Sequence, residues 1–473
     1  MRHRDDIDGL RSIAVIPIML FHAGVGWLRG GYTGVDIFFV ISGFLITKII
    51  VDELDDKRFS ILTFYQRRVA RILPALFFIL IVTGIAVGPA LVLPGEIAEY
   101  FISAAAASGF VSNIYFWSEV DYFARAAESR PLLHTWSLGV EEQFYIFFPL
   151  IMMMLRAKLA RTRIVIIAAL SILSLMAGII VHRFAPASDF YLLPFRAWEL
   201  FIGALLALGA APRLGPKVSE AAALAGAGLV TASIFLLVNW LPFPSPFALA
   251  PCIGTALLIA YGEGTRVGRV LSLAPLRWIG LVSFALYLWH WPIITLYRET
   301  TGDRLEFLET AGLVAASFVA AAVSYYAVEQ PARSAIRAWS SRKAVAVGAS
   351  ATIVMVVASL TLALSADRIW AIGTEADRIV RYQNYKDWEP GREQKISSSC
   401  FIEELGDELD QTQCLTPATG KRNVLLFGDS HAEMYGAALR KAYPNVHWLQ
   451  ATHFGCPPVS DGWANPGCSA MVS

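Results

Sequence analysis

"KRNVLLFGDSHAEMYG", residues 421–436, sets a serine where a nucleophile could work. Four apolar residues, Val424 to Phe427, run into Gly-Asp-Ser-His, and an Ala-rich stretch follows. The pattern predicts a strand, a tight turn at Asp429 and Ser430, and a helix whose first N–H groups could meet an oxyanion. A second group of chemically capable residues lies far upstream. In "RSIAVIPIMLFH", Arg11 and His22 are eleven residues apart. At about 100° per residue that closes three turns with roughly 20° to spare, so on a helix both share a face, about 16 Å apart. "FYQRRVARILP" offers Arg67, Arg68 and Arg71, the last two neighbours at i, i+3. Guanidinium groups gathered beside Arg11 would make an anion site, although ordinary anchoring at the inner surface accounts for any one of them. Asp36, the His134, Glu141 and Glu142 of "HTWSLGVEEQFY", and His290 of "YLWHWP" are expected together at one depth in the outer half. Two histidines with two or three carboxylates suit general acid–base chemistry. For the glutamates, a helix start that favours acidic residues is the alternative.

The elements that would position these residues are membrane helices. Of 473 residues, 56% are apolar and only 16% charged, and mean hydropathy is +0.53. A soluble chain would carry about 25% charged residues. The formal net charge of +1 and the lack of a basic stripe with interleaved aromatics argue against a nucleic-acid partner. The N-terminus "MRHRDDIDGLR" enters an apolar run with no small-residue cleavage site, so it reads as a retained first span. Candidate spans of about 20 residues begin near Ser12, Val35, Ile72, Ile97, Val140, Arg163, Tyr191, Val218, Ala248, Ile279, Leu308 and Ala344.

Basic clusters mark the cytoplasmic side. If all the candidates crossed, "RAKLARTR" and every later basic loop would fall outside. Letting the stretch from Ile97 to Trp117 enter and leave on the outer side repairs them all, and that stretch contains Ser103, Ser108, Ser112 and Asn113. The expectation is a polytopic α-helical protein of about eleven crossings plus one re-entrant outer segment, with the N-terminus inside and the tail outside. Residues 1–364 form the membrane domain, 365–398 a polar linker, and 399–473 a small α/β domain. Of five cysteines, Cys252 lies in an apolar stretch, while Cys400, Cys414, Cys456 and Cys468 sit in the tail. An even set confined to an extramembrane segment suggests disulfides in an oxidising compartment; four free thiols in a cytosolic tail is the alternative. Proximity favours Cys400–Cys414 and Cys456–Cys468. No C-x-x-C spacing points to a metal, and no metal site is expected.

In these motifs the chain resembles the acyltransferase-3 membrane O-acyltransferases, in the subgroup with a fused outer SGNH-type domain. The resemblance rests on Arg11-x10-His22, "GVDIFFVISGFLIT", Arg68-x-x-Arg71, "HTWSLGVEEQFY", "FALYLWHWP", "VEQPAR" and the terminal "GDSH". It implies a bacterial inner-membrane enzyme with no permanently bound cofactor, which passes an acetyl group from cytoplasmic acetyl-CoA to a glycan outside. Lipopolysaccharide O-antigen, exopolysaccharide and peptidoglycan all remain open as acceptors. By the resemblance, Arg11, Arg68 and Arg71 hold the phosphate-rich end of the donor and His22 acts at the thioester. His134 and Glu141 support transfer, Ser430 accepts the acyl group, and Gly455 corresponds to an oxyanion-hole position. A glycan-lipid flippase would leave the serine unexplained, and a membrane-anchored acetyl esterase would leave the intramembrane arginines unexplained. The family's usual late Asp-x-x-His does not occur after Ser430. The outer domain is therefore expected to be incomplete, with no base for its serine.

Overall fold

In the computed structural model, residues 3–91, 94–120, 129–238, 243–244, 246–302, 305–370, 400–402, 410–428 and 430–453 are described. They fall into two compact units, Met1–Ala371 and Ile372–Ser473.

Among the described residues, the regular elements of the first unit are all helical. Its elements are α1 (Asp5–His22), α2 (Gly34–Asp55), α3 (Ile61–Ala90), α4 (Pro94–Ser108), α5 (Ser112–Ser118), α6 (Thr135–Met154), α7 (Ala160–His182), α8 (Pro186–Tyr191) and α9 (Leu193–Ala207). There follow α10 (Pro216–Leu236), α11 (Leu249–Tyr261), α12 (Arg266–Leu271), α13 (Ala274–Thr301) and α14 (Phe307–Val323). A π-helical turn, Ser324–Glu329, leads into α15 (Gln330–Arg337), α16 (Ser341–Leu364) and α17 (Ala366–Ile369). Among the described residues, eight helical segments are long and apolar enough to cross a membrane. The other three expected crossings fall on α1, α6 and the 13-residue α11. Outward faces carry Ile85, Leu173, Val319 and Val354, all more than 60% exposed. Such bare aliphatic side chains suit lipid, because lipid tails are as apolar as the side chains themselves. This is a multi-pass membrane protein.

The stretch from Ile97 to Trp117 breaks at Gly109-Phe110-Val111, where Phe110 has φ 57°. It forms α4 and α5, of 15 and 7 residues, each too short to span about 30 Å of hydrocarbon.

Helix crossings near the site are close. A Cβ on Gly43 of α2 would lie 1.9 Å from the Leu200 carbonyl oxygen of α9, and one on Gly203 would lie 2.0 Å from that of Val40. Small residues at both positions let the α2 and α9 backbones touch. Gln66 on α3 donates to the Ile336 and Trp339 carbonyls at 3.0 and 2.8 Å, which caps the end of α15.

In the second unit, β1 (Phe401–Ile402), β2 (Arg422–Gly428) and β3 (Val446–His453) form a parallel sheet in the order β1-β3-β2. The helix Ser430–Ala442 is the crossover between β2 and β3, as parallel neighbours require. The predicted strand and helix are therefore present, while Asp429 of the predicted turn lies outside the described residues.

Candidate active site

Most of the sequence-predicted membrane residues divide between two of the cavities of the helical unit, called inner and outer for the sides they are expected to face. The inner one, about 80 Å³, is lined by Arg11, Arg68, Arg71, Glu141, Glu142 and Tyr145 among others. It has room for a few waters but not for a nucleotide. The outer one, about 540 Å³, is lined by His22, His134, Asp36, Arg196, Trp291 and Arg298 among others. Val35 and Tyr287 belong to both linings, so they form a shared wall. Helix α1 delivers Arg11 to one cavity and His22 to the other, along the single face that their spacing predicts.

In the inner cavity, neither Arg68 nor Arg71 forms an ion pair within 4.0 Å among the described residues, and Arg11 has only a long one, 3.8 Å to Asp8. The Arg68 guanidinium lies 5.7 Å from the Tyr145 ring centre, and its Nε has no hydrogen-bond partner. Arg67 points elsewhere. Its guanidinium forms a bidentate pair with Glu53 at 2.8 and 2.9 Å, so the expected third arginine of this motif is structural.

Glu141 and Glu142 line the arginine cavity rather than joining the histidines. His134 is the residue before α6, and seven further residues carry Glu141 about 10 Å down the helix. The expected single depth is therefore corrected to two. Glu141 accepts from the Ser42 hydroxyl at 2.9 Å and the Tyr145 hydroxyl at 3.3 Å. Glu142 is buried, and its Oε1 has no partner.

In the outer cavity, His22 Nδ1 lies 3.1 Å from His290 Nε2. The edge of the Trp291 ring packs on His22, with centroids 4.4 Å apart, and Trp291 is pinned by its indole N–H donating to the Arg130 carbonyl at 2.8 Å. His134 is 3% exposed, and neither ring nitrogen has a hydrogen-bond partner. The Tyr287 hydroxyl, in the shared wall, donates to the His134 carbonyl at 2.9 Å and lies 2.7 Å from the Ser137 hydroxyl. Asp36 is fully buried and held by Arg196 at 2.8 Å, and Arg196 also pairs with Glu199 at 2.6 Å. Asp36 thus has a partner in an ion cluster.

Sequence reasoning missed Arg196, Glu199 and Arg298. The signal was available in "FRAWEL", two ionisable residues inside an apolar run, which membrane spans tolerate only where a partner exists.

In the second unit, Ser430 opens the helix after β2, at the strand's carboxyl end, where α/β sheets commonly carry their sites. Asp429, Gly455, Cys456 and Cys468 lie outside the described residues. The expected Cys400–Cys414 disulfide is present, with both cysteines buried.

A family comparison accounts for both units. The acyltransferase domain family matches residues 4–328, over two thirds of the chain. This chain belongs to the acyltransferase-3 family. The SGNH domain that occurs fused to such acyltransferases matches residues 399–472. Among relatives, BcsY of Komagataeibacter xylinus, provisionally named a membrane-bound transacylase, is 34% identical over 69% of this chain and 82% of its own length. The peptidoglycan O-acetyltransferase OatA of Listeria monocytogenes is 33% identical over 69% of this chain and 55% of its own. The O-acetyltransferase OatA of Staphylococcus aureus is 32% identical over 63% and 52%. This acyltransferase therefore spans about half the length of the OatA relatives. No solved structure matches it. Membership sets aside the flippase and esterase readings: the chain is a membrane acyltransferase.

Proposed function

We propose that this acyltransferase moves an acetyl group from cytoplasmic acetyl-CoA to a hydroxyl of a glycan outside a bacterial inner membrane. The observation that carries the proposal is the pair of cavities meeting at Val35 and Tyr287, arginines on one side and histidines on the other. Arg11, Arg68 and Arg71 would hold the donor's phosphates at the inner mouth, and the narrow inner cavity would have to widen to admit the slender thioester arm. In the outer cavity a hydroxyl oxygen attacks the thioester carbonyl carbon, and His22 takes the hydroxyl proton. The carbon–sulfur bond breaks, and the proton passes to the departing thiolate. Ser430 would take the acyl group as an ester; a sugar hydroxyl would then attack the ester carbonyl, and its proton would pass to the Ser430 oxygen as the ester C–O bond breaks, so that two easier transfers replace one. The OatA relative named for peptidoglycan supports a glycan acceptor.

The test is acetyl-CoA turnover and acetyl incorporation by purified protein in liposomes. We expect His22→Ala to lower kcat at least 100-fold, the usual scale for losing a general base. Arg68→Ala and Arg71→Ala should raise the KM for acetyl-CoA. Wild-type turnover by a folded His22→Ala protein would sink the reading, and an unchanged KM in both arginine variants would sink the donor site.

A further inference from the structure

His290 touches the catalytic histidine, yet it lines neither cavity. It is fully buried in α13, beside the His22 ring; the two ring planes are 10° apart and their centroids lie 5.3 Å apart, edge to edge. Its Nδ1 lies 3.2 Å from the carbonyl oxygen of Leu286, one turn back in the same helix.

We infer that His290 is a positioning residue: it fixes the His22 tautomer and leaves the His22 Nε2 lone pair facing the outer cavity as the proton acceptor. The inference rests on His22 being the base of the transfer proposed above. A carbonyl oxygen can only accept, so His290 Nδ1 must carry a proton and donate it to Leu286. No carboxylate lies against His290 among the described residues, and a second proton would bury an unpaired charge. Its Nε2 is therefore a lone pair. The 3.1 Å contact then requires His22 Nδ1 to be the donor. Neutral His22 has no proton left for Nε2, and that nitrogen makes no hydrogen bond to the described residues. Where other catalytic histidines are oriented by a carboxylate, this one is oriented through a second imidazole by a helix carbonyl. The arrangement suits a membrane interior, because it adds no charge.

Nitrogen-15 NMR of histidine-labelled protein in lipid tests the inference directly, with the His22 signals identified by their loss in His22→Gln. We expect the neutral Nδ1–H tautomer, and an Nε2–H tautomer would overturn the proposal. Kinetics test it separately. Gln at position 290 can still offer an acceptor oxygen to His22 Nδ1–H, whereas Leu cannot. We expect His290→Gln to keep kcat within about tenfold, and His290→Leu to lose about 100-fold with the donor KM unchanged, the scale of removing an orienting partner. Equal turnover by His290→Leu and wild type would overturn the role, as would a folded Gln variant as inactive as Leu. An active His22→Ala protein would instead refute the underlying reading of the site, whatever tautomer His22 shows.

Discussion

Arg196 shows how a side chain outside the reacting group can decide whether the site exists. It is 1% exposed and sits between two fully buried carboxylates, Asp36 on α2 and Glu199 on its own α9. Removing one partner of a buried ion cluster leaves the others uncompensated, a loss of about 3–5 kcal/mol. Arg196→Leu should therefore lower the thermal stability of the purified protein strongly. Asp36→Asn should cost less, because Glu199 still pairs the guanidinium. Equal, small shifts for both would show that the cluster is not a structural tie. Tyr287 gives a subtler case. Tyr287→Phe removes the hydroxyl that joins the Ser137 side chain to the His134 backbone. Losing one hydrogen bond should cost about 1 kcal/mol of stability, and turnover should fall more than stability because the wall between the cavities loosens. At this scale the sequence revealed Arg11 and His22 most clearly, since helix periodicity alone puts them on one face. It misplaced Glu141 because the depth of a residue in a helix depends on where the helix begins, and α6 begins only after His134. The His22–His290 contact joins residues 268 apart, and no local pattern encodes such a contact.

Helix crossings set the distances between these groups. The α2–α9 crossing at Gly43 and Gly203 lies about two turns from Asp36 and from Arg196 alike, so the approach of the two backbones controls the ion cluster. A leucine at Gly203 would have to push the Val40 backbone away, and overpacking of this kind typically costs 1–3 kcal/mol. Gly203→Leu is expected to lower stability by about that much in thermal unfolding and to reduce acyl transfer with it. The exposed Gly228, beside which a Cβ meets nothing within 4 Å, is the control, and Gly228→Leu should be silent in both assays. Hydropathy made most helices legible, because a continuous apolar stretch allows little else in lipid. Helices α1 and α6, offered by the sequence as candidate spans from Ser12 and Val140, are not among the eight described segments long and apolar enough to cross. Helix α1 carries Asp5, Asp6, Asp8 and Arg11, and α6 carries Glu141 and Glu142. These charges lower the mean hydropathy of both helices. The α4–α5 break was legible from its polar content, although its turning point at Phe110 was not.

At the scale of the whole molecule, the reading stands on orientation, since an inner arginine cavity is useful for a cytoplasmic donor only if Arg11 faces the cytoplasm. The Cys400–Cys414 disulfide favours an outward tail, because bridges persist in oxidising compartments. The basic loop carrying Lys57 and Arg58 favours the cytoplasm by charge. The prediction uses both. In a background with Cys252→Ala, Cys456→Ser and Cys468→Ser, Lys57→Cys should resist a membrane-impermeant thiol reagent applied to intact spheroplasts and react only after permeabilisation. Thr419→Cys, at an exposed position of the tail, should react at once. Cys400 and Cys414 should stay unlabelled until a reductant is added, and reduction should destabilise the tail unit by about 3 kcal/mol, the scale expected for freeing a loop of this length. Labelling of Lys57→Cys from outside, with Thr419→Cys protected, would invert the molecule. The arginine cavity would then open away from any cytoplasmic donor, and Ser430 would face the compartment that holds no outer glycan. Labelling of both from outside would place an odd number of crossings in error, and α11, at 13 residues, would be the first helix to reassign.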